Sequence, residues 1–171
     1  MKLLTQLYTT KRALQILISS SIKAVKVLEV KVMKCCVWVK YTTKNGVCSL
    51  FVSVRAFLKL AIAGRKERAS GYGVEPQAAA PGHYHVYKID GDLIFDPTYT
   101  VTAGRTVSCN CPDYLEQEEY LKSHPYLWQQ ICKQRLVCKH SLAVLKHLNF
   151  DKLVDYVTAR NVEMKKRVAK L

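Results

Sequence analysis

Two tight residue pairs constrain this chain more than anything else in it. Cys109 and Cys111 flank Asn110, and Cys138 and His140 flank Lys139. Three thiolates and one imidazole complete a closed tetrahedral shell of the kind that structural zinc takes. A strand points residues two apart to one face, so Cys109 and Cys111 can offer both sulfurs to a single ion. On a regular helix such positions do not face each other. Cys138 is therefore expected just before a helix and His140 in its first turn, where the helix dipole also favours a thiolate. A shell closed by four protein ligands leaves no position for a substrate or an activated water. That argues for a structural role, and no nucleophile-plus-base motif argues for an enzyme.

The surroundings bound the class of protein. At 171 residues, 49% hydrophobic and 23% charged, the chain suits one globular domain or one domain with ordered flanks. Seven cysteines, two of them adjacent at Cys35-Cys36, fit a reduced intracellular protein better than a disulfide framework. Lys11 and Arg12 interrupt any leader-like run near the N-terminus. Arg55 and Lys59 interrupt the apolar stretch from Val47 to Gly64, so no membrane partner is expected. The expectation is a soluble, cytoplasmic chain, placed in a nucleus or nucleoid if bound to DNA.

Apolar periodicity predicts a helix over 3–20, with Leu3, Leu7, Leu14, Leu17 and Ile18 on one face. Residues 22–41 stay open: abundant valine favours strand, yet Val25, Leu28, Val32, Cys35, Cys36 and Val39 also form a helical stripe. Asn45-Gly46 predicts a tight turn, and 54–69 reads as a helix with Phe57, Leu58, Ala61 and Ile62 inward. Ser70 to Gly73 ends that helix, and Ala78 to Gly82 reads as a loop. From His83 to Cys109 short extended pieces predict a β-meander delivering the first ligand pair. Asp113 is expected to cap a helix, with Glu116 completing a capping box. A second helix is expected over Tyr126–Arg135, then one after Lys139. A final helix carries the stripe Phe150, Leu153, Val154, Val157, Met164, Val168 and Leu171.

The fold expected is α+β: a small β-meander plus helices clasped by one Cys3His zinc site, between a helical or mixed basic N-terminal flank and a helical C-terminal flank. The divisions are a basic segment over 1–54, a zinc-binding domain over 55–149 with a helical insert at about 113–137, and a basic amphipathic helix over 150–171. Cys132 reads as a buried thiol of the insert or a substitute ligand, and His83 and His85 as a hydrogen-bonded pair or a second metal site.

Cys109-x-Cys111-Pro112-Asp113-Tyr114, followed by Cys138-x-His140 and Leu142-Ala143-Val144-Leu145, resembles a SWIM-type zinc finger. The Pro-Asp-aromatic run, the lysine between the last two ligands, and a basic helix followed by Gly71-Tyr72-Gly73-Val74 all belong to the likeness, which covers about residues 55–149. The gap of 26 residues between Cys111 and Cys138 is long for that family. The resemblance implies a Zn2+-dependent module that binds DNA or protein, of the kind found in transposases, transcription factors and recombination accessory subunits.

Charge distribution points to where a polyanion would bind. Residues 1–70 hold 14 Lys/Arg against 2 Asp/Glu, residues 71–145 hold 6 against 8, and residues 146–171 hold 7 against 3. The ligand-bearing segment is thus mildly acidic and both flanks are basic, so the flanks carry the attraction. Candidate phosphate contacts are Arg55, Lys59, Arg65, Lys66, Arg68, Lys146, Arg160, Lys165, Lys166 and Arg167. With no recognition helix apparent, contact to phosphates and little sequence specificity are expected. The alternative is a protein-interaction or accessory subunit of a recombination, transposition or transcription complex, docking through its apolar stripes.

Overall fold

A computed structural model describes residues 7–33, 35–95, 99–123 and 137–168. The chain divides into two compact units, Met1–Ala63 and Gly64–Leu171. The fold is mixed α+β, with five helices and two antiparallel sheets among the described residues.

The first unit begins with helix α1 (Thr10–Ser19), shorter than the 3–20 expected, because Thr9 adopts an extended conformation and caps it. Its Oγ1 accepts a hydrogen bond from the Arg12 amide at 3.2 Å, satisfying one of the amides a helix start leaves free. The buried face is Ala13, Ile16 and Leu17, whereas Ile18 is exposed. Residues 1–6, and Leu3 with them, lie outside the described residues.

The open question over 22–41 resolves as strand. Strands β1 (Lys26–Val32), β2 (Cys36–Thr43) and β3 (Gly46–Ser53) form an antiparallel sheet in that order. β-Branched residues favour the pleated surface over a helix, and each apolar residue on the inner face meets another across the ladder. Val37 pairs with Val32 and Val52, and Val39 with Val30 and Leu50. The turn at Asn45-Gly46 forms as expected, with Gly46 at φ +125°. Helix α2 (Val54–Ala69) follows directly, burying Phe57, Leu58 and Ala61, with Phe57 edge-on to Tyr8 at 5.3 Å. The division between the units falls inside this helix.

The second unit holds the sheet β4-β5-β7-β8, with β6 pairing onto β5. Its strands are β4 (Tyr72–Pro76), β5 (His83–Asp90), β6 (Leu93–Ile94), β7 (Tyr99–Ala103) and β8 (Val107–Cys109). The Gly-Tyr-Gly run does more than end a helix, since Tyr72 opens a strand paired with β5 along its length. Helix α3 (Pro112–Ser123) starts two residues earlier than a cap at Asp113 would allow. Proline suits the first helical position, where its missing N–H costs nothing. The Cys111 carbonyl instead accepts from the Tyr114 and Leu115 amides at 3.0 and 3.1 Å. The expected helix over Tyr126–Arg135 lies outside the described residues, as does Cys132.

Helix α4 (Lys139–His147) lies against β4, β5, β7 and β8. Its residues Leu142 to Leu145 join Val86, Val101, Ala103 and Val107 in one core. Helix α5 (Leu153–Val168) packs Leu153 and Val157 of the expected stripe against this core, but its fully buried residue is Tyr156, and Val154 is 55% exposed.

Candidate metal centre

The two ligand pairs meet as their spacing requires. Cys109 ends β8, opposite Val101 of β7. The ladder continues through Asn110, whose amide donates to the Thr100 carbonyl at 3.2 Å and whose Oδ1 accepts from the Thr100 amide at 2.9 Å. Asn110 is thereby held outward while Cys109 and Cys111, two apart, turn inward and are buried. From the other side, Cys138 stands in an extended conformation as the cap of α4. Its Sγ accepts from the Ser141 amide at 3.4 Å and lies 3.2 Å from the Ser141 hydroxyl. His140 occupies the first turn.

The ligand atoms of Cys109, Cys111, Cys138 and His140 all lie within 4.8 Å of one another, and all four residues are buried. His140 turns Nδ1 toward the Cys109 sulfur at 3.9 Å. This is a donor set that can hold a metal ion. Three thiols and an imidazole buried in contact perturb one another's ionisation. Hydrogen bonds from Cys109, then from Cys111, hold the Cys138 thiol well below its ordinary range, against the pull of burial. Cys109 is pushed far up by sharing its hydrogen bond with Cys111, then with Cys138, and by burial. The Cys109 hydrogen bond lowers Cys111, but the bond to Cys138 and burial outweigh it and push Cys111 up to about 11. A cation held by the cluster would favour the ionised form of all three thiols.

Two aromatic rings that the ligand spacing does not reveal fix the imidazole. Tyr99 of β7 stacks on His140 with centroids 4.3 Å apart, and Tyr72 of β4 meets it edge-on at 4.8 Å. The Lys139 ammonium lies over the Tyr72 ring at 4.8 Å, which gives the lysine between the last two ligands a definite place. Tyr72 could have been found from the Gly71-Tyr72-Gly73-Val74 run, whereas nothing local marked Tyr99.

The candidate phosphate contacts do not share one setting. Arg55, Lys59, Lys66, Arg68, Lys146, Lys165 and Lys166 are exposed. Arg65 is instead 8% exposed, and its Nη2 pairs with Asp113 at 2.8 Å. Burial turns Arg65 from the solvent, and its partner is the carboxylate that capping would have used. Arg160 is half-buried, donating to the Tyr156 hydroxyl at 3.3 Å and pairing with Glu163 at 2.8 Å. The side chain of Arg167 lies outside those described. His83 and His85 form no metal cluster among the described residues; His85 Nδ1 lies 3.2 Å from the Gln77 amide nitrogen.

No protein-family model, curated protein or solved structure matches the chain. No helix among the described residues is long and apolar enough to cross a membrane.

Proposed function

We propose that the Cys3His cluster holds a structural Zn2+ ion in a SWIM-like finger, and that the chain is a non-enzymatic module binding DNA through its basic segments. The observation that carries the zinc reading is the buried cluster itself. Tetrahedral zinc with Zn–S of about 2.3 Å and Zn–N of about 2.0–2.1 Å separates its ligand atoms by roughly 3.6–3.8 Å. The 3.9 Å between the Cys109 sulfur and His140 Nδ1 is a few tenths of an ångström beyond that spacing, a distance that small side-chain shifts close. When bound, the ion would offset two of the three thiolate charges and cross-link β8 to α4. The residues around it orient the ligands and keep water out. One zinc per chain is expected by metal analysis of the purified protein, with loss in Cys111→Ser. Retention of full zinc by that variant would overturn the reading.

The DNA reading is supported by the exposed lysines and arginines of α2 and α5 and the charge excess of both flanks. Affinity for a labelled duplex should fall steeply between 50 and 200 mM salt, roughly as the power −0.9 per phosphate contacted. Lys165→Ala with Lys166→Ala should flatten that dependence. No binding even at low salt removes the DNA part.

An observation on the second unit favours an accessory subunit as the alternative. The hairpin joining β5 and β6 leaves Ile89, Leu93, Ile94 and Phe95 between 40% and 72% exposed. A cluster of large apolar side chains at a hairpin tip suits a protein partner. A stable oligomer that Ile94→Asp dissolves would favour this reading.

A further inference from the structure

The outward face of the β1-β2-β3 sheet carries a pattern that the basic-flank reading leaves unused. Side chains alternate strictly along β2: Val37, Val39 and Tyr41 are buried, while Trp38, Lys40 and Thr42 turn outward. The register fixes their neighbours. Trp38 stands between Lys31 and Phe51, Lys40 between Glu29 and Ser49, and Thr42 between Lys26 and Val47. An antiparallel sheet with one covered face ordinarily presents polar residues on the other. Here Phe51 is 66% exposed and Val47 60%. Directly opposed residues on adjacent strands bring their Cβ atoms to about 4.5–5.5 Å, so Trp38 and Phe51 stand side by side on this face. Lys26, Lys31 and Lys40 stand on the same face, and Glu29 is the one acidic residue among residues 1–63.

We propose that this face binds single-stranded DNA, with Trp38 and Phe51 stacking on unpaired bases and Lys26, Lys31 and Lys40 holding the phosphates. Aromatic platforms beside ammonium groups suit unpaired bases because every base has a free π-face and every linkage a charge. A duplex hides its base faces in the stack and offers such a platform nothing. A protein partner fits less well, since lysine is depleted from protein interfaces and three of them share this face. The choice of DNA over RNA rests on the proposed function, but the site is distinct from the basic segments named there.

The test uses full-length, zinc-loaded protein and a dT12 oligonucleotide. Of the two tryptophans in the chain, Trp128 is replaced by phenylalanine so that fluorescence reports Trp38 alone. Binding of dT12 should quench that emission. Trp38→Leu and Phe51→Leu keep apolar bulk and remove the ring, and each should weaken dT12 binding about ten-fold with zinc content unchanged. Phe51, the more exposed ring, keeps the test open if the Trp38 variant fails to fold. Replacing Lys26, Lys31 and Lys40 by alanine should lower the salt slope by about 2, at roughly 0.7 per phosphate for single strands. Equal dT12 affinity in wild type and Phe51→Leu overturns the inference, as does binding of U12 without dT12. Self-association abolished by the same variants, with no dT12 binding, also overturns it by showing a second copy on the face. If duplex binding depends on Lys165 and Lys166 while the sheet variants change nothing, only this inference falls. If dT12 binding depends on the two rings while duplex binding is absent, the basic-segment reading falls and the platform stands.

Discussion

Tyr156 illustrates what a side chain of mixed character does to a helix. Its ring is fully buried, edge-on to Phe150 at 5.3 Å, while its hydroxyl donates to the Gly104 carbonyl at 2.8 Å. A buried hydroxyl needs such a partner, and this one ties α5 to the turn between β7 and β8. Tyr156→Phe removes the bond to the Gly104 carbonyl and the acceptor of the longer Arg160 bond, which solvent can replace at that half-buried guanidinium. About 1 kcal/mol should be lost in denaturant unfolding, with zinc content unchanged. The sequence did not reveal this residue, because counting only aliphatic positions ranks Leu153, Val154 and Val157 ahead of a tyrosine. Arg65 escaped for a related reason: a charge reads as exposed until a distant carboxylate, here Asp113, is brought to it. The Cys3His cluster was legible at once, since two-residue spacings carry their geometry with them.

Between elements, the pairing of β4 with β5 depends on a missing side chain. Gly73 lies opposite Tyr87, and a Cβ added there would come within 2.1 Å of the Tyr87 ring. Alanine at this position must displace the ring, and overpacking of this kind costs about 1–3 kcal/mol. Gly73→Ala should therefore destabilise the protein to that extent. In a Tyr87→Ala background the same change should cost little, and a double-mutant cycle on chemical denaturation measures the difference. The meander, its turns and α4 were legible because their signals are local. Residues 22–41 were not, because their valines fit both periods and only cross-strand partners decided between them. The start of α3 was misjudged for a third reason. Asp113 competes with Pro112 for the helix start, and proline's fixed φ settles that competition.

At the scale of the whole chain, the two units differ in what holds them. The core of the second contains Cys109, Cys111 and Cys138 themselves, whereas the buried residues of the first, such as Val37, Val39 and Phe57, include no ligand. Structural zinc contributes an apparent ~10–16 kcal/mol in finger peptides, and a domain is stable by only ~5–15 kcal/mol. Chelation should therefore unfold the second unit and leave amide protection in β2 intact, which hydrogen exchange by mass spectrometry can resolve. The ligand spacing also has a polymer consequence. Cys111 and Cys138 stand at the ends of a 26-residue segment, so a bound ion would close a loop, and the entropy of closure grows only logarithmically with length. Doubling that segment with a Gly/Ser run should cost about 0.6 kcal/mol, a roughly three-fold change in zinc affinity by chelator competition. A site built this way places few limits on what lies between its halves, and the segment from Cys111 to Cys138 is where this chain should tolerate gain or loss of sequence without losing the Cys3His cluster.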